Sequence, residues 1–280
     1  MSAQTMTASQ QRWEGWQLEG SSAEAYERYL VPAATARWAE HLVDLAAPRA
    51  GERVLDVGCG TGIVARTIAA HAGERGQVIG LDLNDDMLAV ARTASATIRP
   101  AIEWRQGDAA TLPFADGSFD IVTCQYAIQF FPDPSAALRE IHRVLAPEGR
   151  LALMLGRSVA QNRAYGWIAE AMSRHAGPEA GMMMRSPFPD WSTTDVRDLV
   201  IEAGFGEVQV GIHIMNLRYA SAADLLWQEA SYSPLAGVFT ALSVGARDAL
   251  VAGVTEALAP YTDDAGVIFP IESLTVLARG

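Results

Sequence analysis

From Arg53 to Leu155 the chain alternates short apolar runs with amphipathic segments, and this alternation restricts the fold more than any other feature of the sequence. The runs Arg53–Val57, Gln77–Asp82, Ile102–Gln106, Ile121–Gln125 and Arg150–Leu155 mostly carry Val, Ile and Leu on consecutive positions, as strands covered on both faces do. Helical segments at Gly62–Ala70, Asp85–Ser95 and Ser135–Leu145 lie between them. The pattern predicts an α/β fold with a doubly wound, parallel sheet, whose ligands bind beyond the carboxyl ends of the strands.

The flanking sequence adds to this core. Tyr26, Leu30, Ala34, Trp38, His41, Leu42 and Leu45 follow a helical period, and Pro32 in their midst predicts two short helices. Beyond Gly156 come a helix at Gln161–His175, the Met- and Pro-rich stretch GMMMRSPFPDW and a helix at Thr194–Ala203 stopped by Gly204, which together read as a lid or insertion. A long alternating strand at Glu207–Tyr219, helices near Ala222–Ala230 and Ala236–Leu258, and a last strand at Val267–Ala278 complete the chain. The two strands should pair antiparallel at the sheet edge. The expected division is 1–47 as an N-terminal helical cap and 48–156 as the ligand-binding core. Residues 157–206 form the lid insertion and helix, and 207–280 are the final strands with their helical insertion in the same domain.

Charge narrows the partners. A formal charge of −12 opposes binding to nucleic acid or anionic bilayers, and no Lys/Arg cluster offers a local exception. The first residues, MSAQTMTASQ, have neither the basic nor the apolar region of a secretory signal, and no apolar run is long enough to span a membrane, so a cytoplasmic chain is expected. Cys59 and Cys124 are too few for a disulfide framework and lack zinc-ligand spacing, so both are expected as buried thiols, and no metal site is expected.

The chemistry concentrates at three strand ends. In VLDVGCGTG the missing Cβ atoms let a ligand lie on the backbone, and the next helix offers unpaired N–H groups. A dinucleotide pyrophosphate and an amino-acid carboxylate would both suit such a loop. Gly58, Gly60 and Gly62 form GxGxG, however, whereas the dinucleotide fingerprint requires glycine where Ile63 stands. Asp56, just ahead of the loop, would repel a pyrophosphate and accept hydrogen bonds from an ammonium. Asp82 ends the second strand, where a carboxylate can accept from both hydroxyls of a ribose; it could equally cap the following helix. Asp108, at the end of the third, could accept from an exocyclic amine with the Ala109 N–H turned to a ring nitrogen, or simply start a turn. Leu83 and Met87 would flank the adenine so held.

These stretches resemble the class I S-adenosylmethionine-dependent methyltransferases, in particular the group similar to menaquinone and ubiquinone C-methyltransferases. VLDVGCGTG, GLDLNDDML, GDAATLPFADGSFDIV and ALREIHRVLAPEGRLAL occur in that family's order between Gly51 and Leu155. The resemblance implies S-adenosylmethionine as cofactor, held by Asp56, Gly58, Gly60, Asp82, Leu83, Met87, Asp108, Ala109 and Gln125. It also implies a seven-stranded, Rossmann-like sheet whose last strand is antiparallel. The expected activity is methyl transfer to O, C or N of an apolar small molecule such as a quinone, polyketide or other secondary metabolite. Ile63 and Asp56 disfavour the rival reading of an NAD-dependent oxidoreductase, while a domain that binds the cofactor without transferring methyl stays open.

No signature identifies a general base. His142 and His213 sit in patterns that read as packing, His71 closes a helix, and nothing local selects His41 or His175. On the substrate side, Tyr126, Gln129 and Phe130 in QYAIQFFPDP should project near the methyl group, and Tyr26 and Tyr29 could close over the cofactor. Met182 to Met184, with Trp167, Phe188 and Trp191, suggest an adaptable apolar lid.

Overall fold

The apolar runs become neighbouring strands in the computed structural model, which describes residues 21–280. The strands are β1 (Arg53–Val57), β2 (Gln77–Asp82), β3 (Glu103–Gln106), β4 (Phe119–Gln125), β5 (Leu145–Gly156), β6 (Glu207–Tyr219), β7 (Thr262–Asp263) and β8 (Gly266–Arg279). They form one sheet in the order β3-β2-β1-β4-β5-β8-β6, with the two-residue β7 attached to β8. β1 pairs in parallel with β2 (Val54 opposite Val78) and with β4 (Val54 opposite Ile121). β8 runs antiparallel to both β5 and β6. The sheet is thus the expected Rossmann-like one, and the expected final pair exists with β8 inside it and β6 at the edge. Strand order reverses between β1 and β4, which places the binding crevice at their carboxyl ends.

Helices cover both faces. On one side α3 (Ile63–Ala72) buries Val64, Ala65, Ile68, Ala69 and Ala72. On the other, α5 (Pro134–Val144) buries Ala137, Leu138, Ile141 and Val144; Asp133 caps it by accepting from the Ala136 N–H, and Pro134 opens its first turn. Between β2 and β3, α4 (Asp85–Ala94) is capped by Asn84, which accepts from the Asp86 and Met87 N–H groups. The remaining helices are α6 (Arg163–Ala176), α7 (Pro178–Arg185), α8 (Thr193–Glu202), α9 (Ala222–Tyr232), α10 (Leu235–Ala241) and α11 (Val244–Ala257).

Two helical expectations change. Instead of two short helices, α1 (Ser21–Ala25), a π-helical segment (Tyr26–Thr35) and α2 (Ala36–Ala46) run on without a break, with Pro32 inside the π segment. An α-helical turn would drive the proline ring against the preceding carbonyl; the wider i→i+5 turn makes room for the ring, and the donor that proline lacks is lost in either. The part of the expected cap before Ser21 lies outside the described residues. The single helix expected over Ala236–Leu258 is two, because Leu242 is extended and Ser243 caps α11 by accepting from the Ala246 N–H.

Candidate active site

The glycine loop turns at the end of β1 by making backbone bonds to its neighbour: the Gly58 N–H donates to the Leu81 carbonyl at 2.8 Å. Gly60 has a φ of 55° and open space where its Cβ would stand, so the backbone itself faces the crevice. Gly62 (φ 83°) needs glycine for a second reason, since a Cβ there would occupy the Trp104 indole. The loop therefore offers a bare backbone on its ligand side and is wedged from behind.

The three strand-end carboxylates converge here. Asp56, Asp82 and Asp108 line one cleft of about 200 Å³ together with Gly58, Gly60, Leu83, Met87, Ala109 and Gln125. Asp82 accepts from the Gly60 N–H at 2.8 Å on one oxygen and the Asn84 N–H at 2.9 Å on the other, with the Leu83 N–H also favouring its ionised form, so it fastens the loop. It does not cap α4, a role that Asn84 fills. Asp56 is 1% exposed and accepts from the Thr123 hydroxyl at 2.8 Å and the Ala65 N–H at 3.2 Å. It thereby satisfies one of the orphan donors of α3 from outside the helix. Burial, with the nearby Asp82 adding to it, pushes Asp56 up to about 7 and raises Asp82 as well. Asp108 makes its turn, accepting from the Ala110 N–H at 2.9 Å. Among the described residues no Lys, Arg or His lines this cleft.

Three side chains, Tyr26, Tyr126 and Phe130, form a wall shared with a second chamber of about 130 Å³. Its lining is largely apolar, with Leu30, Trp38, Met183, Met184, Phe188 and Leu217 among the residues that face it. Tyr126 has a φ of 52° and its hydroxyl bonds the Ser273 hydroxyl, which fixes the ring between the two spaces. Gln125 donates to the Thr35 carbonyl at 3.1 Å and Gln129 to the Pro187 carbonyl at 3.2 Å, while the Oε1 of each is buried without a partner. Such orphans ask for a donor.

One polar group in this chamber is invisible to the histidine search of the sequence. Glu229, on α9, is 8% exposed and accepts from the Tyr165 hydroxyl at 3.1 Å. Burial raises its carboxyl to about 7 against the lowering effect of the Tyr232 and Tyr165 phenols. Ala222, Leu225, Leu226 and Ala230 mark the inward face of α9 and Glu229 falls on it, but only the structure shows that this face borders a cavity.

Several expected residues lie elsewhere. Tyr29 packs edge-on against Trp227 at 5.0 Å and lines neither space, because residues three apart no longer share a face in a π turn. Of the apolar lid, Met182 is 62% exposed, Trp167 packs on Tyr261, and Trp191 joins the core on the other side of the sheet. Met183, Met184 and Phe188 do face the chamber. His41 stacks on His213 with centroids 3.6 Å apart, and His142 packs on Phe205. Both cysteines are buried free thiols. Among the described residues no group of His, Cys, Asp or Glu could hold a metal ion, and no helix is long and apolar enough to cross a membrane.

The cleft can be tested against the cofactor that the motifs suggest. A ligand with a sulfonium and an ammonium suits an anionic lining with a bare Gly60 and an unpartnered Gln125 oxygen; a pyrophosphate finds no cation there. Comparisons with known proteins agree. The family model described as a methyltransferase domain matches residues 55–153. The ubiquinone/menaquinone biosynthesis C-methyltransferase of Shewanella frigidimarina is 32% identical over 186 residues, 61% of this chain and 73% of that one. A Bacillus halodurans structure described as a candidate methyltransferase superposes with a TM-score of 0.60 at 25% identity, covering 86% of this chain and 97% of the other. The phosphoethanolamine N-methyltransferase 2 of Haemonchus contortus, solved with S-adenosyl-L-methionine, shares the fold with a TM-score of 0.54 at 21% identity over 87% of this chain and 52% of its own. The chain therefore belongs to the class I S-adenosylmethionine-dependent methyltransferases, and S-adenosylmethionine is its cofactor.

Proposed function

We propose that the protein methylates a hydroxylated aromatic small molecule of the quinol type, at carbon or oxygen, with the acceptor seated in the apolar chamber. The observation that carries this reading is the chamber itself, which adjoins the cofactor cleft across Tyr26, Tyr126 and Phe130 and presents mostly hydrocarbon and ring faces. The similar Shewanella frigidimarina protein, named for ubiquinone/menaquinone biosynthesis, supports an acceptor of that class.

In this reading Asp82 takes the ribose hydroxyls. Asp108 and Ala109 meet the adenine edge, and Leu83 and Met87 its faces. Gly58 and Gly60 give the backbone cradle. Gln125 Oε1 accepts from the ammonium, and Asp56, already bonded within the fold, contributes charge and holds α3 rather than serving as a first contact. When bound, S-adenosylmethionine supplies a methyl group activated by a cationic sulfur. The protein's tasks are then to align the acceptor, exclude water and receive any proton released. Tyr126 and Phe130 shape the passage between the two spaces, and residues 157–206 act as the lid over the acceptor.

The test is methyl transfer from labelled cofactor to a panel of phenols, naphthols, quinols and amines. Turnover concentrated on hydroxylated bicyclic aromatics is expected. Tight binding of S-adenosylhomocysteine with no transfer to any acceptor would contradict this and favour a protein that holds the cofactor for another purpose.

A further inference from the structure

We infer that Glu229 is the proton acceptor for a hydroxyl of the methyl acceptor, and that the substrate is selected for carrying one. This role rests on the chamber's being the acceptor site. Among the described residues Glu229 is the carboxylate that lines the chamber, and no Lys, Arg or His lines it. Its Tyr165 bond engages one oxygen. The Tyr232 hydroxyl stands close enough to favour the ionised carboxylate, yet the hydroxyls of both Tyr219 and Tyr232 are buried without a closed hydrogen bond, so the cluster has polar capacity to spare. A buried carboxylate without a cation costs stability, and a helix face of Ala and Leu gives no structural reason for one. A ligand hydroxyl in the chamber can donate to the Glu229 oxygen that Tyr165 leaves open, and accept from one of the unpartnered phenols.

The groups facing Glu229 are phenols: Tyr165 on α6, Tyr219 on β6 and Tyr232 on its own helix, with Tyr26 against Tyr232. Burial raises all four well above their ordinary range, so none titrates near neutrality and Glu229 alone changes charge there. In the transfer step the acceptor O–H bond breaks and its proton joins a Glu229 oxygen. The electron pair left on the acceptor, at oxygen or delocalised to the ring carbon beside it, forms the bond to the methyl carbon. The S–CH3 pair stays on sulfur, giving S-adenosylhomocysteine. After oxygen methylation Glu229 releases its proton to solvent; after carbon methylation the proton goes back to the acceptor oxygen while the ring carbon's own hydrogen leaves to water as a proton, restoring the hydroxylated ring.

The experiment uses the full chain saturated with S-adenosylhomocysteine, titrated with 1-naphthol and with 1-methoxynaphthalene from pH 6 to 8, in wild type and Glu229→Gln. The wild type should prefer the naphthol by about tenfold at the upper end, the scale of one charge-assisted hydrogen bond. The preference should shrink at the lower end, and the variant should hold it within about twofold throughout. Tyr165→Phe should move the wild-type transition to higher pH, since it removes a donor to the ionised form. Equal wild-type affinity for the two ligands, or an unchanged pH-dependent preference in Glu229→Gln, overturns the inference while leaving the chamber as acceptor site. Failure of the wild type to bind either naphthalene overturns the acceptor-site reading and the inference with it. Should Glu229→Gln not fold, the pH dependence of the wild-type preference decides alone.

Discussion

Asp82 fastens Gly60 and Asn84 by backbone bonds, and under the proposed function it also takes the ribose hydroxyls. Asp82→Ala should therefore weaken S-adenosylhomocysteine binding by about 1–3 kcal/mol in calorimetric titration. Unchanged affinity would remove the ribose assignment. At the chamber, Met183 is half-buried and Met184 lies in the core at 3% exposure. Met183→Asp should lower acceptor affinity while S-adenosylhomocysteine binds as before, whereas Met184→Asp should unfold the protein, which circular dichroism would detect. The three aspartates were legible in the sequence because each stands at or within two residues of the end of an expected strand, so strand assignment alone brings them together. Glu229 was not, because a single charge on a helix face acquires meaning only when that face is known to border a cavity. Asp56 was half legible: its position was right, but its bonds to Thr123 and Ala65 depend on partners from other elements.

At the scale of elements, the N-terminal helix carries Tyr26 into the wall between the two spaces, and it is tied to the glycine-loop helix by Glu27, which accepts from Arg66 at 2.7 Å with both side chains partly buried. Arg66 also donates to the Gly62 carbonyl. Glu27→Gln should cost no more than about 1 kcal/mol of stability, as partly exposed pairs do, yet speed S-adenosylhomocysteine release several-fold because the covering helix loses its tether. Stopped-flow displacement measures this, and an unchanged release rate would show that the helix does not close the cleft. The sequence announced this helix through its apolar period but misplaced its faces. Pro32 was read as a break, whereas packing of Trp38 and Leu42 beneath the sheet keeps the rod continuous and the strain goes into a π turn. That widening is why Tyr26 reaches the wall and Tyr29 does not. The break at Leu242, by contrast, is local chemistry, with Ser243 capping the helix that follows, and the apolar spacing on both sides hides it.

For the whole molecule, two buried acids set the response to pH. Asp56 and Glu229 are each held near 7, above their ordinary values of 3.8 and 4.5, so the folded state binds more protons than the unfolded one across that interval. Stability from this source is full below about pH 4 and is lost as pH rises to about 7. The ion-paired Glu52, Asp120 and Glu140 are held below their ordinary values and act in the opposite sense, losing their contribution as pH falls below the carboxylate range. Denaturant midpoints should peak between these limits, near pH 5, and decline toward neutrality; a flat profile from pH 5 to 8 would show that the two carboxyls are not held protonated. The cationic cofactor should offset part of that decline at neutral pH, since it favours the ionised form of Asp56. The proposed function requires cofactor and acceptor to occupy adjoining spaces divided by Tyr26, Tyr126 and Phe130. A crystal structure with S-adenosylhomocysteine and 1-naphthol tests it most directly. The expected result is adenosine between Asp82 and Asp108, sulfur at the shared wall and the naphthol hydroxyl on Glu229; sulfur turned away from that wall, or naphthol bound outside the chamber, would contradict it.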